Sequence, residues 1–375
     1  MIGLAIGVAA LILTLSVMRG FEDEVEDKVA SMDGHLRLSS ALGNEVPLPD
    51  SLIERIQAYS EVERVIPFTA RHALVRRGSR SDGVFLMGAD LEQLREVVNI
   101  HEFITAGTYP SPDDSAAIIL GEKLAKQLQV GPGEEVILFD VAYLLEEQGI
   151  RGREFTVAAT YRSGMVEYDQ LLAFTTLGSA HALFGLSRSP SRAIINLSDR
   201  DRADGLSAAL EDDLGFPYYL LSWRQRHANL FQWLKGQQTP ILIVFGFIAA
   251  VALVNILSTL SLIVVEKQRD IGILRSLGFG RRRIQKIFLY QGSIIGSVGS
   301  GAGIGLALLL GFLQRRFQIL ALDSDIYFMD ALPVQWSWQS LILIPFIALV
   351  LSLLAAVWPA KRAAAIHPAE ALRYE

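Results

Sequence analysis

The sequence has no cysteine among its 375 residues, which excludes disulfide bonds and thiolate chemistry. Three motifs of nucleotide and hydrolase chemistry are also absent: the G-x-x-x-x-G-K-[ST] phosphate loop, the H-E-x-x-H metal site and the G-x-S-x-G nucleophile elbow. The six histidines are scattered and form no cluster with metal-ligand spacing. We therefore expect neither a catalytic centre, nor a metal, nor a bound cofactor in this chain.

Charged residues are missing from four long apolar runs. The chain is 51% hydrophobic with a mean hydropathy of +0.34, too apolar for an ordinary soluble protein of this length. About 20 apolar residues cross a bilayer core, so the last three runs are long enough to do so. The first run lacks the basic flank and the cleavage site of a signal peptide, so we interpret it as a span whose start is clipped, which leaves open whether Met1 is the natural start. The four runs are Ile2–Met18, Pro240–Val265, Ile287–Leu313 and Leu341–Trp358.

The loop Glu266–Lys286 carries seven Lys and Arg residues against two acidic ones, a formal charge of +5 in a chain of formal charge −6. Basic residues close to membrane spans stay in the cytoplasm, so this loop sets the predicted topology. A strongly acidic remainder also argues against a nucleic-acid partner. The predicted domains are transmembrane helices at 1–20, 239–265, 287–313 and 341–360, an outer domain at 21–238, the cytoplasmic loop at 266–286, an outer loop at 314–340 and a cytoplasmic tail at 361–375.

Residues 36–223 show strand and helix patterns in mixed order and without a repeat. LRLSS at 36–40 is typical of a strand, Ala203–Leu214 is typical of a helix, and Arg224–Gln238 is predicted to be one helix that runs into the second span. The predicted fold is an α-helical membrane protein with four transmembrane helices and a large α+β extracytoplasmic (periplasmic) domain between the first and second helices.

Two segments contain side chains that suggest contacts. Within the basic loop, Ile271, Leu274 and Leu277 repeat at helical spacing before Gly278 and Gly280 break the helix. A short amphipathic helix between two spans would present a surface to a soluble cytoplasmic partner.

The interval Asp140–Arg153 is longer than an ordinary hairpin connection and contains Tyr143, Leu144 and Leu145. Two interpretations remain open: the apolar side chains are tucked under a long loop, or they form a protruding hairpin that docks a partner.

The third span is rich in glycine. Gly292, Gly296, Gly299 and Gly303 fall on one helical face at i, i+4, i+7 and i+11. Small residues in this register let helix backbones approach closely, so we predict a helix-packing seam. The run GSGAGIG at 299–305 does not match the G-x-G-x-x-G dinucleotide fingerprint.

One span, a large outer domain and three further spans is a layout that resembles the FtsX/MacB-type permeases of ABC transporters, and among them the lipoprotein-releasing (Lol) permeases. Similarity in IILGEKLAKQLQVGPGEEV is weaker, and the resemblance extends over nearly the whole chain. The segments that carry it best are IGLAIGVAALILTLSVMRGFEDE, VNILSTLSLIVVEKQRDIGILRSLGFGRRRIQKIFLYQG, DSDIYFMDALPV and WPAKRAAAIHPAEALRYE.

The resemblance implies a permease that pairs with a second copy or a paralogue in the bacterial inner membrane. A separate cytoplasmic ATPase would use ATP and Mg, and triacylated lipoprotein would pass from the membrane lipid to a periplasmic chaperone. The basic loop would be the coupling helix, with Ile271, Leu274 and Leu277 packing on the ATPase. The implied coupling residues are Glu266, Arg269, Asp270, Ile271, Leu274, Arg275, Leu277 and Gly278.

Chaperone docking would fall on the 140–153 hairpin with Tyr143, Leu144 and Leu145, although this sequence lacks the prolines that bracket the hairpin in one Lol permease type.

A triacyl anchor needs an apolar entrance from the outer leaflet. Apolar pairs at i and i+3 or i+4, at the outer ends of the first two spans, suggest such an entrance. The proposed lipoprotein-binding residues are Met18, Phe21, Ile243 and Phe247.

Two alternative functions fit the same layout: an exporter of peptides or drugs of the FtsX/MacB type, and a regulatory subunit that transmits ATPase motion without transport.

Overall fold

A computed structural model describes residues 1–42, 46, 48–111, 114, 116–145, 149–186, 190–322, 329 and 331–366, without the side chains of Leu144 and Leu145. The chain divides into two compact units. The helical unit consists of Met1–Glu24, Gln232–Ala321 and Ala331–Glu375, and the αβ unit consists of Val25–Phe231 and Leu322–Asp330.

The elements within the described residues follow in chain order. The helices are α1 Ile2–Asp33, α2 Asp50–Gln57, α3 Leu91–Val97, α4 Glu122–Leu128, α5 Val141–Leu145, α6 Val166–Leu171, α7 Leu177–Phe184, α8 Ala203–Leu214, α9 Trp223–Arg226, α10 Ala228–Glu266, α11 Gln268–Ser276, α12 Arg281–Phe317 and α13 Trp338–Ala365, with 3₁₀ turns at Asn99–Phe103 and Arg200–Arg202. The strands are β1 Leu36–Ser40, β2 Val62–Arg77, β3 Arg80–Ala89, β4 Ile104–Gly107, β5 Ala117–Gly121, β6 Glu135–Asp140, β7 Gly152–Tyr161, β8 Leu172–Thr176, β9 Arg192–Leu197 and β10 Tyr218–Ser222.

Four helices of the described chain, α1, α10, α12 and α13, are long and apolar enough to cross a membrane. Each contains one of the four apolar runs. α1 continues well past the end of its apolar run at Met18, through a charged stretch that ends at Asp33. Inside the helical unit, Val8 and Ile12 of α1 are buried against Ala307 of α12 and Ala348 of α13.

The αβ unit is built on one mixed sheet. Its described strands run in the order β10-β1-β9-β2-β3-β8-β5-β7-β4, while β6 pairs with β2 and β7. Pairing is parallel for β3 with β8 and for β5 with β7, and the other pairs are antiparallel. Aliphatic and aromatic side chains of strands β2, β3, β5, β6, β7 and β8 pack on α4 and α7 and form one hydrophobic core of this unit.

A buried carboxylate fixes the end of α1 within the αβ unit. Asp33 is almost fully buried and accepts a hydrogen bond of 3.1 Å from Nη2 of Arg37. Nε2 of His227 lies 2.7 Å from Oδ2 of Asp33, and the hydroxyl of Tyr168 lies 3.2 Å from the same nitrogen. Nη1 of Arg226 is 3.6 Å from Oδ1. Three stretches of sequence therefore meet in this cluster: 33–37, Tyr168 and 226–227.

Opposing effects act on the pKa of Asp33. Burial raises it, whereas the charge of Arg37, the hydrogen bond from His227 and the charge of Arg226 lower it, and the result lies well below the ordinary value. Asp33 is therefore ionised at neutral pH and depends on these partners, because an unpaired buried carboxylate is strongly unfavourable.

His227 also explains one difference from the sequence prediction. Arg224–Gln238 was expected to form one helix, but the structure has α9, a break at His227 and then α10. The His227 side chain is held by Asp33, and its backbone leaves the helical region with φ −105° and ψ 29°. Three other elements, α5, α6 and β4, were not expected from the sequence.

Candidate functional site

The basic loop between α10 and α12 folds as the helix α11. The helix α11 is flanked by Lys267 at its start and Leu277 at its end. Gly278 then takes a left-handed φ of +92°, a conformation that favours glycine. The ammonium of Lys267 lies 3.1 Å from the carboxylate of Asp270, and both side chains are largely exposed.

One face of α11 is covered by the helical unit itself. Ile271 is only 4% exposed and packs in a cluster with Val264, Ile284 and Phe288, and Leu274 is half-buried against the same cluster. Ile271 and Leu274 therefore do not form the exposed partner surface that their spacing predicts. The reason is that the adjoining ends of α10, α12 and α13 already cover the apolar face of this helix.

Arg275 was also expected to contact a partner, but its guanidinium is turned toward the end of α13. Nη1 donates to the carbonyl oxygen of Ala364 at 3.2 Å and also to that of Ile366. These carbonyls are among the last of the helix and lack an intrahelical donor, so Arg275 caps α13.

The outward face of α11 is different from the predicted one. Leu277 is 73% exposed, as expected, and Ile273 is 43% exposed one turn before it. Ile273 was missed, although an apolar pair at i and i+4 on the polar side of an amphipathic helix is a readable signal. Exposed charged residues continue this surface, which we call the α11 outer face: Glu266, Arg269, Asp270, Ile273 and Leu277.

The four predicted seam glycines all lie against neighbouring helices. A Cβ at Gly292 would lie 2.5 Å from Cβ of Ala356, and one at Gly296 would lie 3.0 Å from Cβ of Ser352, both on α13. Cβ atoms at Gly299 and Gly303 would lie 2.9 and 2.8 Å from side-chain atoms of Leu4 and Val8 on α1. One face of α12 thus contacts two helices in succession. The hydroxyl of Ser352 donates to the carbonyl oxygen of Gly292 at 2.7 Å and adds a polar contact to this seam.

An apolar cleft of about 70 Å³ lies between α1, α10 and α13 of the helical unit. Val8, Leu11, Ile248 and Ala348 are among its lining residues. The proposed entrance residues Met18, Phe21, Ile243 and Phe247 do not line it. Ile243 and Phe247 are exposed on α10, while Met18 and Phe21 are partly exposed on α1.

The hairpin at 140–153 is partly helical. β6 and β7 pair as expected, and α5 follows β6 directly. The Arg151 guanidinium lies 4.1 Å from the ring centroid of Tyr143, and its Nη1 donates to the carbonyl oxygen of Phe184 at 2.9 Å. Tyr143 is therefore half-buried and held in place, whereas the predicted side chains of Leu144 and Leu145 lie outside the described residues.

Among the residues that the structure describes, no group of three or more His, Asp or Glu side chains is placed to hold a metal ion.

Two family models cover most of the chain. The MacB-like periplasmic core domain matches residues 1–213, and the FtsX-like permease C-terminal model matches residues 242–368. The lipoprotein-releasing system transmembrane protein LolC of Xylella fastidiosa is 30% identical, over 100% of this chain and 92% of that protein. LolE of Haemophilus influenzae is 29% identical, over 99% of this chain and 92% of its own length. Among solved structures, the periplasmic region of MacB from Actinobacillus actinomycetemcomitans is 14% identical with a TM-score of 0.37, over 54% of this chain and 95% of that one.

Proposed function

This chain belongs to the LolC/LolE family of lipoprotein-releasing, FtsX-like permeases, and we propose that it is the membrane subunit of an ABC transporter that extracts lipoproteins from the inner membrane. The observation that carries this proposal is similarity over the whole chain to the lipoprotein-releasing proteins. In this proposal a partner ATPase supplies the energy, which the matches to lipoprotein-releasing and FtsX-like permeases support.

In the proposed topology, α1, α10, α12 and α13 cross the inner membrane. The αβ unit follows α1 in the sequence and lies in the periplasm, and the segment between α12 and α13 is also outside. The loop that contains α11 lies in the cytoplasm. This assignment is supported by the concentration of basic residues in Glu266–Lys286.

The α11 outer face is the proposed contact for the ATPase. Ile273 and Leu277 supply exposed apolar area, and Arg269 and Asp270 supply charges of both signs beside it. A buried apolar contact surrounded by polar groups is the usual form of a specific interface. Because Ile271, Leu274 and Arg275 bind α11 to the ends of the spans, force on the outer face would pass into α10, α12 and α13.

On the outer side, the permease pairs with a second copy or a paralogue and receives a triacylated lipoprotein. Met18, Phe21, Ile243 and Phe247 are the proposed entrance, supported by the exposure of Ile243 and Phe247 on an apolar helix. Release to a periplasmic chaperone follows, with the 140–153 hairpin as the proposed docking segment.

Co-isolation tests the substrate class. The full chain, purified with its ATPase from a bacterial membrane, should bring down triacylated lipoproteins in the absence of ATP and lose them after ATP and Mg are added. Co-isolation of unacylated peptides or small molecules, with no lipoprotein, would contradict this function and indicate an exporter instead.

A further inference from the structure

Two arginines lie at the outer end of α12, where the proposed topology makes them unexpected. Arg315 and Arg316 are in the last turn of the helix, and both are exposed. Lys and Arg beside membrane spans collect on the cytoplasmic side, and here that side already has the basic loop before α12. Within the described residues, the structure pairs neither guanidinium with a carboxylate.

Two pairs of exposed aromatic residues on α12 and α13 indicate the depth of these arginines. Tyr290 and Phe312 are exposed on α12, 22 residues apart, which corresponds to roughly 33 Å along a helix. Trp338 and Trp358 are exposed on α13, and their separation corresponds to about 30 Å. Both values match the hydrocarbon thickness of about 30 Å, and Trp and Tyr, which are three of these four residues, favour its two boundaries.

Arg315 and Arg316 follow Phe312 by three and four residues, or about 5 Å along the helix. Their guanidinium groups are therefore at the level at which phospholipid phosphates begin. Arginine is suited to phosphate because its planar donors bind two oxygens at once.

The segment after the arginines is apolar and held in a defined turn. Phe317, Ile319 and Leu320 are 66%, 66% and 59% exposed, and Gln318 adopts a left-handed φ of 47° that ends the helix. The buried side chain of Gln314 accepts from the Leu320 amide at 2.9 Å and donates to its carbonyl oxygen at 3.0 Å. These bonds return Leu320 to the level of the last helical turn, so the exposed apolar side chains stay close to the interface.

We propose that Arg315 and Arg316, together with Phe317, Ile319 and Leu320, bind phospholipid headgroups of the outer leaflet, with a preference for anionic lipid. The apolar side chains insert among the acyl chains while the guanidinium groups bind headgroup phosphate. Charge complementarity and continuity with the apolar surface of α12 select a lipid over a protein partner. This inference rests on the topology proposed above. The lipid site is separate from the α11 outer face.

The test uses the full chain in nanodiscs of phosphatidylcholine with a minority of labelled phosphatidylglycerol. Phe317 is replaced by a photoreactive phenylalanine analogue, and the captured labelled lipid is measured. Capture should fall about fivefold for Arg315→Gln and on the order of 25-fold for Arg315→Gln with Arg316→Gln, because each cation near a surface contributes a factor of that size. Arg315→Lys with Arg316→Lys should keep most of the capture.

Arg281→Gln with Arg282→Gln is the matched control, because it removes the same charge from the opposite end of α12 and should leave capture at residue 317 unchanged. An arginine in the last turn also suits the helix dipole, so lipid capture rather than stability is the deciding readout. In the protein that keeps both arginines, lipid capture should also weaken as the salt concentration is raised, because salt screens the attraction between arginine and phosphate.

Equal capture by the wild type and the double glutamine variant, or capture insensitive to salt, would overturn the inference. Lipoprotein release is measured in a parallel experiment with the ATPase present. If lipoprotein is released normally but anionic lipid is not preferred, the lipid site is refuted and the proposed function is not. If anionic lipid is preferred but no lipoprotein is released, the proposed function is refuted and the lipid site is not.

Discussion

Asp33 holds the end of α1, the start of β1 and the break between α9 and α10 together in the αβ unit. Replacing it with asparagine removes the charge that Arg37, Arg226 and His227 share and leaves buried donors without an ionic partner. We expect Asp33→Asn to lower the free energy of unfolding by about 3–5 kcal/mol. Thermal unfolding of the purified full chain, followed by tryptophan fluorescence, measures this change.

Asp27→Asn is the matched control on the same helix. Asp27 pairs with Arg200, but both side chains are substantially exposed, so its loss should cost less than about 1 kcal/mol. Equal effects of the two substitutions would show that the Asp33 cluster is not a buried anchor.

The same carboxylate gives a dependence on pH. The folded-state pKa of Asp33 lies below its ordinary value of about 3.9, so its stabilisation is present above that value. It is lost as the pH falls from about 5 through 3.9 toward the folded-state pKa. The stability difference between the wild type and Asp33→Asn should therefore shrink in acid, and a constant difference would contradict this assignment.

Ile271 and Ile273 are two residues apart on α11 and face opposite ways. Ile273→Asp places a charge on the α11 outer face, so we expect loss of ATPase co-purification with normal abundance of the permease. Ile271→Asp places the same charge in the helical unit's own core, so abundance itself should fall. Full ATPase binding by Ile273→Asp, and likewise by Leu277→Asp, would exclude the α11 outer face as the docking surface.

At the scale of elements, α12 contains two kinds of glycine. Gly296 faces Leu349 and Ser352, so Gly296→Leu should prevent close packing of α12 on α13 and reduce the amount of assembled protein. Gly301 has nothing within 4 Å of an added Cβ, which makes Gly301→Leu the matched control, with near-normal yield expected. Yield after detergent extraction and gel filtration distinguishes them, and equal yields would contradict a packing seam at Gly296.

Much of the element order follows from local pattern. The apolar runs predict the four long helices, and Ala203–Leu214 and Leu36–Ser40 have the bounds that their sequences predict. Periodicity and uncharged length are sufficient there because they depend only on nearby residues. The short helix α6 and strand β4 have too few residues for such a pattern to stand out.

Which face of α11 is exposed could not be predicted from local pattern in the same way. An amphipathic helix has an apolar face, but spacing alone does not say whether a partner or the same chain covers it. Here the ends of α10, α12 and α13 cover Ile271 and Leu274, which leaves Ile273 and Leu277 outside. The break at His227 likewise depends on Asp33, almost 200 residues away in sequence.

At the scale of the whole molecule, the open question is where the acyl chains enter. Photoreactive residues at Met18 and Phe247 should capture triacylated lipoprotein without ATP and release it on turnover, because both positions lie on apolar helices and are at least partly exposed. A photoreactive residue in the cleft, at Ile248, is the internal comparison. Capture at Ile248 and at neither Met18 nor Phe247 would move the acyl site to the cleft between α1, α10 and α13.

ATP-dependent release tests the central claim most directly. Proteoliposomes that contain this chain, its pairing subunit if one is needed, the ATPase and a triacylated lipoprotein are incubated with a soluble acceptor protein. The proposed function predicts that lipoprotein moves to the acceptor only when ATP and Mg are present, and that Ile273→Asp abolishes the transfer. Lipoprotein that stays in the membrane while the wild-type complex hydrolyses ATP would contradict it.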